Sequence, residues 1–287
     1  MPLHPRDKGP VLVTGASSGI GRACALLLAG QGYCVFAGVR NLEAGVGLKA
    51  EASGHLYPVR LDITSSEQID AAVEIVVAHS GSLVGLVNNA GIVLSGPLEF
   101  FPLSELRRIL EINVFGQMAV SKAFLPLLRR SKGCVIQIGS PSGYLSPPFL
   151  GAYAASKFAL EALIDALRRE TALFGLRVSL VEPGAIETPV WEKSLSESEK
   201  LEAAFSQDAQ DLYSNRLRRG REMMLRLRRR AIKPERVARV VLRALEARCP
   251  RPRYFVGMDA RMQYFLAHCI PDRFVDSLLE RFFNASA

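Results

Sequence analysis

A tyrosine and a lysine, Tyr153 and Lys157, stand four positions apart in the stretch GAYAASKFALEAL. Side chains at i and i+4 lie on one face of a helix, so the ammonium can approach the phenol. A nearby positive charge favours the phenolate and lowers a tyrosine pKa that is about 10 when unperturbed. The pair therefore predicts a general acid and base that works near neutral pH, although two surface residues one helical turn apart would show the same spacing.

A serine, Ser140, precedes Tyr153 by 13 residues, at the end of the apolar run GCVIQIGS. Parallel sheets hold their ligands at the carboxyl ends of the strands. A hydroxyl at that edge can hydrogen-bond a substrate oxygen as charge develops on it. Ser140 and Tyr153 thus predict a proton-transfer site, with Ser142 as the alternative strand-end serine.

A glycine-rich turn, TGASSGIG, follows the apolar run VLVT and contains Gly15, Gly19 and Gly21. Glycines between a strand and a helix let the backbone approach a pyrophosphate, whose charge lies favourably at the helix N-terminus. We therefore predict a dinucleotide site, while noting that glycines also serve tight turns. The G-x-x-x-G-x-G spacing differs from the G-x-G-x-x-G fingerprint of other dinucleotide-binding proteins.

Short apolar runs alternate with segments of helical periodicity through most of the chain. This alternation predicts the elements that position the Tyr153–Lys157 pair, Ser140 and the glycine-rich turn. The predicted strands are 11–15, 33–39, 55–61, 83–89, 133–140, 175–184 and 253–257. The predicted helices include 20–32, 65–80, 113–130 and 152–174. Strand and helix in alternation indicate a doubly wound parallel sheet, a Rossmann-type three-layer α/β fold.

The alternation stops after Val190, where residues 191–230 are polar and helix-prone. One helical face there carries an apolar row, made of Tyr213, Leu217, Gly220, Met224, Leu227 and Ala231. We expect this segment to be a helical lid over the substrate. Residues 1–287 are expected to form one domain, with an N-terminal tail at 1–8 and a helical C-terminal extension at 258–287.

The composition is that of a globular protein, with 49% hydrophobic residues. No apolar stretch approaches the length needed to span a bilayer, and the first residues do not resemble a signal peptide. Five scattered cysteines and four histidines without ligand spacing predict neither a disulfide framework nor a metal site. We expect a soluble protein of the reducing cytoplasm that binds no nucleic acid.

The basic charge is concentrated between Arg216 and Arg253, where 15 Lys and Arg residues stand against three Asp and Glu residues. Such a segment could contact a membrane surface or an acidic partner, or it could be a solvated helix face. Apolar rows at helical spacing follow it, made of Met262, Phe265, Leu266 and Cys269 and of Phe274, Leu278, Leu279 and Phe282. These rows favour packing on the core or on a partner subunit over packing on a membrane.

The ordered set of motifs resembles the short-chain dehydrogenase/reductase superfamily, and most closely its hydroxysteroid and retinol dehydrogenases. The motifs are TGASSGIG, Asp62, NNAG at 88–91, Asn113, Ser140, YAASK and PGAIET at 183–188. The resemblance implies that Asn113 joins Ser140, Tyr153 and Lys157 in a catalytic tetrad, holding a water linked to the lysine. Alternatively, Asn113 caps the helix that follows it.

The resemblance also implies which residues bind the coenzyme. Asp62 would bind the adenine amino group, Asn88, Ala90 and Gly91 would pack the adenosine side, and Ile186 and Thr188 would hold the carboxamide. The whole implied set is Gly15, Ser17, Ser18, Gly19, Ile20, Gly21, Arg40, Asp62, Asn88, Ala90, Gly91, Tyr153, Lys157, Pro183, Gly184, Ile186 and Thr188. Asn88 could equally tie neighbouring strands together.

Coenzyme preference is expected to be set where the second strand ends, at Val39 and Arg40. An acidic residue there would accept from the ribose 2′-OH and repel a 2′-phosphate, whereas an arginine can bind that phosphate. We therefore predict NADP(H), with Arg22 as a second candidate cation. A solvated Arg40 is the alternative.

The residues expected around the nicotinamide are largely apolar and include no Lys or Arg. Substrate contacts are predicted for Ser140, Tyr144, Leu145, Phe149, Tyr153 and Trp191, beside Leu94, Pro97, Pro147, Pro148 and Val190. This lining favours a steroid, retinoid or lipid-like alcohol or ketone over a charged metabolite. Trp191 could instead lie in the core.

These observations predict an NADP(H)-dependent oxidoreductase that forms a homodimer or homotetramer. A 3-oxoacyl carrier-protein reductase is the alternative enzyme, because the basic segment could receive an acidic carrier. An NADPH-binding sensor without catalysis is the alternative of another class, and the intact tetrad argues against it.

Overall fold

Seven of the apolar runs form one parallel β-sheet in the computed structural model, which describes residues 8–284. The strands are β1 (Pro10–Thr14), β2 (Cys34–Val39), β3 (Leu56–Arg60), β4 (Gly85–Asn88), β5 (Cys134–Ile138), β6 (Arg177–Pro183) and β7 (Arg253–Val256). All seven predicted strands are confirmed. The predicted tail, 1–8, lies outside the described residues except for Lys8.

The strands lie in the order β3-β2-β1-β4-β5-β6-β7, so the chain reverses its direction of travel across the sheet between β1 and β4. Val13 pairs with Ala37 of β2 on one side and with Val87 of β4 on the other. Parallel sheets of this kind bind ligands at the carboxyl edge where the order reverses. The fold therefore directs attention to the ends of β1 and β4.

Eleven α-helices accompany the sheet within the described residues. They are α1 (Gly19–Gly30), α2 (Leu42–Glu51), α3 (Ser66–Ser80), α4 (Leu103–Leu110), α5 (Gln117–Ser131), α6 (Gly151–Thr171), α7 (Val190–Ala203), α8 (Gln207–Arg229), α9 (Pro234–Glu246), α10 (Met258–Cys269) and α11 (Asp272–Asn284). Buried residues of α1, α2 and α9 pack on one face of the sheet, and those of α3, α5 and α6 pack on the other. The predicted doubly wound, three-layer fold is confirmed.

The segment after Val190 forms α7 and α8, as the apolar row predicts. Leu217 is buried, Tyr213 and Met224 are half-buried, and Leu227 is 38% exposed; Ala231, the last residue of the row, lies beyond the end of α8. The C-terminal apolar rows are more exposed than predicted, since Met262, Phe265 and Phe274 are all more than half exposed. Phe282, the last residue of the second predicted row, has a side chain outside those that the structure describes.

Candidate active site

The ends of β1 and β4 are joined by the side chains of Thr14 and Asn89. The Thr14 hydroxyl accepts hydrogen bonds from the backbone N–H groups of Asn89 (2.9 Å) and Ala90 (3.1 Å). The Asn89 amide donates to the carbonyls of Thr14 (3.0 Å) and Gly15 (3.2 Å). The glycine-rich turn is thus held against the NNAG segment by the second asparagine of that motif.

The glycine-rich turn has the geometry of a pyrophosphate cradle. Gly15 and Gly19 have positive φ angles, of 64° and 55°, which L-residues with side chains rarely adopt. A Cβ at Gly21 would lie 2.3 Å from the Gly15 carbonyl oxygen and 2.5 Å from Asn89 Nδ2. The side chain of Ser18, at the N-cap of α1, accepts no capping hydrogen bond, and the first turn has no acidic residue. The residues present therefore fit an anionic dinucleotide.

The loop that follows β6 faces this turn. A Cβ at Gly19 would lie 3.0 Å from the Thr188 Cγ2 atom, so the turn and the loop are in contact. Ile186 pairs with Ile232 in an isolated parallel bridge, and the Trp191 indole donates to the Ile186 carbonyl at 2.5 Å. Trp191 thus holds the loop predicted to bind the carboxamide, and its indole N–H points to the loop.

The backbone at the start of the same loop is held from the C-terminal part of the chain. Asp259, in the first turn of α10, accepts a hydrogen bond from the Ala185 N–H at 2.6 Å. A Cβ at Gly184 would lie 2.1 Å from Asp259 Oδ2, so only glycine leaves room for this contact. Pro183 and Gly184 are therefore positioned by a residue distant in sequence.

Ser140, Tyr153 and Lys157 meet at the carboxyl edge of β5. Ser140 follows the last residues of that strand, and Tyr153 and Lys157 lie in the first two turns of α6. Lys157 is 7% exposed and donates to the Ile138 carbonyl at 3.1 Å, with its Nζ 5.8 Å from the centre of the Tyr153 ring. The structure brings the three residues together as predicted. Ser142, the alternative, is buried and donates its backbone N–H to the Ser140 Oγ at 3.2 Å.

The pKa values of the pair differ from the prediction made from spacing. Burial raises the pKa of Tyr153 to about 12; a hydrogen bond with Ser140 opposes this shift, and Glu182 adds to it. Burial also lowers the pKa of Lys157 to about 8, against the opposing charges of Glu182 and Glu161. The expected lowering of the Tyr153 pKa is therefore wrong for this structure, because desolvation is the largest influence and exceeds the opposing hydrogen bond with Ser140.

Asn113 lies inside a helix and does not cap one. It is fully buried in a π-helical turn, Glu111–Gly116, between α4 and α5. Its Oδ1 accepts from the Ile92 N–H at 2.8 Å, and its Nδ2 donates to the Ile92 carbonyl at 2.9 Å and to Ser156 Oγ at 3.0 Å. The capping alternative is wrong, and Asn113 contacts the residue that precedes Lys157.

The predicted adenosine contacts divide into exposed and buried residues. Arg40 is exposed directly after β2. Although burial opposes it, hydrogen bonds from Thr64 and the charge of Arg40 keep the pKa of Asp62 below its usual range. Arg22 forms an ion pair with Glu51, which leaves Arg40 as the better candidate for a 2′-phosphate.

Asn88 does not reach the cofactor surface. Its side chain is fully buried and donates to Ser121 Oγ on α5 at 2.7 Å. The structure therefore favours a structural role for Asn88, but its side chain ties β4 to helix α5 and not to a neighbouring strand. Ala90 and Gly91, by contrast, lie at the open end of the strand, and Gly91 is exposed.

Two predicted substrate residues have contacts that the sequence did not indicate. The Tyr144 hydroxyl donates to the Ala260 carbonyl at 3.2 Å, so this side chain packs on α10. Phe149 has a φ of 68°, which is strained for a bulky residue, and its ring meets Tyr213 of α8 edge to face at 6.3 Å. Phe149 thus joins the loop before α6 to the predicted lid, and Leu145 lies half-buried in that loop.

Comparison with known proteins is consistent with this geometry. The family model described as short chain dehydrogenase matches residues 10–199, which include the glycine-rich turn and the Tyr153–Lys157 pair. This chain belongs to the short-chain dehydrogenase family. The match covers most of the sheet of this short-chain dehydrogenase and its catalytic helix, and it ends within α7.

Relatives extend the similarity over nearly the whole chain. Human retinol dehydrogenase 5 is 37% identical over 285 residues, covering 96% of this chain and 89% of its own length. The NADPH-dependent 3-dehydrocapnine reductase of Ornithobacterium rhinotracheale is 34% identical, covering 93% and 94%. The crystal structure of a short-chain dehydrogenase from Streptomyces avermitilis superposes with a TM-score of 0.76 at 31% identity, covering 95% of each chain. This short-chain dehydrogenase is therefore an oxidoreductase that uses a nicotinamide cofactor.

Residues 8–284 contain neither a candidate metal-binding cluster nor a membrane-spanning helix. No group of three or more His, Cys, Asp or Glu side chains in that range is placed to hold a metal ion. None of the helices described there is both long enough and apolar enough to cross a bilayer.

Proposed function

We propose that this short-chain dehydrogenase is an NADP(H)-dependent oxidoreductase acting on a hydrophobic secondary alcohol or ketone, such as a steroid or a lipid-like carbonyl, or on a retinoid alcohol or aldehyde. The observation that carries the proposal is the meeting of Ser140, Tyr153 and Lys157 beside the glycine-rich turn. A hydroxyl, a phenol and an ammonium lie together at the carboxyl edge of the sheet.

Each residue has a distinct role in the proposed reaction. When bound, the nicotinamide would supply or accept the hydride. Tyr153 gives its phenolic proton to the carbonyl oxygen during reduction and takes that proton back during oxidation. Ser140 hydrogen-bonds the same oxygen as negative charge develops on it. Lys157 supplies a positive charge that stabilises the phenolate left on Tyr153.

The preference for NADP(H) rests on the residues at the end of β2. Neither residue is acidic, so no carboxylate stands there to repel a 2′-phosphate. Val39 is buried, and Arg40 is exposed and accessible to a ligand. A charge-assisted hydrogen bond from Arg40 would be worth about 1.5–3 kcal/mol. The related reductase named as NADPH-dependent supports the same preference.

The apolar substrate is supported by the residues around the loop that precedes α6. Leu94 and Pro97 are buried, and Leu145 and Phe149 are half-buried. The relative named as a retinol dehydrogenase is consistent with an apolar alcohol. None of these four lining residues carries a charge that could bind a carboxylate or phosphate of the substrate.

A coupled assay tests the proposal. NADPH oxidation is measured with steroid ketones, retinaldehydes, 3-oxoacyl thioesters and small aldehydes, and the Tyr153→Phe variant is the control for background oxidation. Turnover of the steroids or retinoids that Tyr153→Phe abolishes supports the proposal. Turnover confined to 3-oxoacyl thioesters would instead indicate the carrier-protein reductase, and NADPH binding without turnover of any carbonyl would indicate a sensor.

We also propose that the exposed apolar faces of the C-terminal helices pack on a second copy of the chain, with membrane contact through the basic segment 216–253 as the alternative. Met258 is 78% exposed and Phe274 is 69% exposed, and the basic segment 216–253 precedes them in sequence. Sedimentation with anionic liposomes at low and high salt tests the membrane contact, and light scattering tests for a dimer or tetramer. No sedimentation at low salt would remove the membrane contact, and a monomer by light scattering would remove the subunit contact.

A further inference from the structure

Two glutamates, the buried Glu182 and the half-buried Glu161, lie near Lys157 and have no role in the reaction described so far. Glu182, on β6, is 0% exposed, and neither of its carboxyl oxygens has a hydrogen-bond donor among the described residues. Glu161 follows Lys157 by one turn of α6, and its Oε1 is likewise buried without a donor. Because a buried carboxylate without a donor is strongly unfavourable, this arrangement requires a physical explanation.

The backbone around Ser140 leaves room for both carboxyl groups. A Cβ at Gly139 would lie 2.5 Å from each carboxyl oxygen of Glu182. A Cβ at Gly143 would lie 2.9 Å from Glu161 Cγ. Gly139 and Gly143, on either side of Ser140, therefore leave the space, and both glutamates pack against the strand-to-helix connection that carries Ser140.

The surrounding charges determine which glutamate keeps a proton. Arg253, on β7, donates to Glu161 Oε2 from Nε at 2.9 Å and from Nη2 at 2.6 Å. This contact favours an ionised Glu161. The Nη2 atom of Arg253 also lies 3.2 Å from the Asp165 carboxylate. Glu182 has no ion pair of this kind, and its carboxyl group lies close enough to that of Glu161 for a hydrogen bond to form once one of them carries a proton. Two carboxylates in contact cannot readily ionise together, so the proton lies on Glu182.

The charge of this glutamate pair affects the pKa values of the catalytic residues. Burial and Glu161 raise the pKa of Glu182 well above its usual range, while Lys157 and Arg253 oppose the shift. An ionised Glu182 would in turn raise the pKa of both Tyr153 and Lys157. Tyr144 also lies in this field, and its pKa is raised by burial and then by the charges of Glu182, Glu161 and Asp259.

We propose that Glu182 is a positioning residue that shares one proton with Glu161, and that this proton sets the charge beside the Tyr153–Lys157 pair. The inference rests on the proposed function, since a proton-transfer role for Tyr153 gives the shared proton its effect. While the proton is present, no negative charge on Glu182 opposes the Tyr153 phenolate. When it leaves to solvent at higher pH, Glu182 stabilises the ammonium of Lys157 and the neutral phenol of Tyr153.

Infrared difference spectroscopy on the cofactor-free protein tests the shared proton directly. The Glu182→Gln variant keeps the shape of the side chain and removes its titration. At pH 7 we expect the carbonyl stretch of one protonated carboxyl group in the wild type and its loss in Glu182→Gln. Glu246→Gln is the matched control, because Glu246 is exposed and paired with Lys8, and it should lose no such band. An unchanged band in Glu182→Gln would overturn the assignment.

The pH dependence of turnover tests the effect on catalysis. Once Glu182 has ionised at alkaline pH, its charge raises the pKa of Tyr153, and Glu182→Gln removes that charge. The alkaline limit of reduction, which needs the protonated phenol, should therefore move to lower pH by about one unit in Glu182→Gln. Glu246→Gln should keep the wild-type profile. A wild-type profile in a folded Glu182→Gln variant would contradict the proposal. If no alcohol or carbonyl is turned over even by the wild type, the proposed function fails, while the infrared band still decides the shared proton.

A second variant covers the case in which Glu182→Gln does not fold. In Glu161→Gln the amide can donate to Glu182, so Glu182 ionises and the carboxyl band at pH 7 should disappear although Glu182 is still present. Persistence of the band in that variant would show that Glu182 holds a proton without Glu161, and the shared-proton model would be rejected.

Discussion

Asn113 and Ser156 are joined by a buried hydrogen bond, in which Asn113 Nδ2 donates to Ser156 Oγ at 3.0 Å. The Ser156 hydroxyl in turn donates to the Tyr153 carbonyl at 2.6 Å. Because Asn113 also binds both backbone groups of Ile92, one side chain ties the segment after β4 to the first turns of the catalytic helix. The π-helical turn is what places this amide, in keeping with the frequent occurrence of such turns at functional sites.

Asn113→Ala should destabilise the protein and lower turnover. It leaves the N–H and the carbonyl of Ile92 without their partner, at a cost of about 1–3 kcal/mol for each group that stays buried. Urea denaturation should show this loss, and kcat should fall more than KM changes, because the catalytic helix is no longer fixed. The exposed Asn215 provides the control, and equal stabilities of Asn113→Ala and Asn215→Ala would contradict the prediction.

Gly21→Ala should weaken coenzyme binding, since its Cβ would lie 2.3 Å from the Gly15 carbonyl oxygen and must displace the turn. Gly47→Ala is a matched control within α2, because a Cβ there meets nothing within 4 Å. That control should stabilise the protein by about 0.4–1 kcal/mol. Fluorescence titration with NADPH and thermal denaturation measure the two effects. NADPH affinity unchanged in Gly21→Ala would show that the turn does not contact the coenzyme.

Arg40→Ala should lower the affinity for NADPH by about 10- to 100-fold and leave the affinity for NADH nearly unchanged. Val39→Asp should move the preference toward NADH, because a carboxylate at that position accepts from the ribose 2′-OH and repels a 2′-phosphate. Arg169→Ala, on the exposed end of α6, controls for general loss of charge. A Val39→Asp variant that keeps a strong preference for NADPH would disprove the proposed phosphate site.

Lys157→Met should be relatively more stable at neutral pH than at alkaline pH. The pKa of Lys157 is lowered from 10.5 to about 8 in the folded chain, so unfolding takes up a proton between these values and wild-type stability rises with pH across that window. Lys157→Met has no ammonium at this position and therefore lacks this rise in stability with pH. The free energy of unfolding of Lys157→Met minus that of the wild type should therefore fall from pH 8 to pH 10.5. Lys49→Met, at an exposed site, should show no such trend, and a flat difference for Lys157→Met would refute the prediction.

The sheet could be predicted from sequence because each buried strand is a short apolar run with clear ends. Helix α2 could not, since its ten residues include Gly45 and Gly47 and have no apolar row that marks a helix. Helix α4 is only eight residues long and leads directly into the π-helical turn. Periodicity reports burial along a regular face, and neither segment has enough residues on such a face.

The residues of the candidate site likewise divide into those that could be predicted from sequence and those that could not. Tyr153, Lys157 and Ser140 could be predicted because their chemistry depends on local spacing and on the end of a strand. Asn89 was missed beside Asn88, since which of two adjacent asparagines turns outward depends on the pleat of β4. Glu182 gave no signal, because its partner Glu161 lies on another element and only the fold brings them together.

The carboxylate of Asp259 gives the C-terminal helices a mechanical connection to the coenzyme site. It stands in the first turn of α10 and binds the Ala185 N–H, while α11 contacts α8 at the other end of this segment. If a bilayer or a second subunit displaced α10, the hydrogen bond between Asp259 and Ala185 would transmit that displacement to the loop after β6. Attachment of the chain and occupancy of its coenzyme site would then be thermodynamically linked, each changing the affinity of the other.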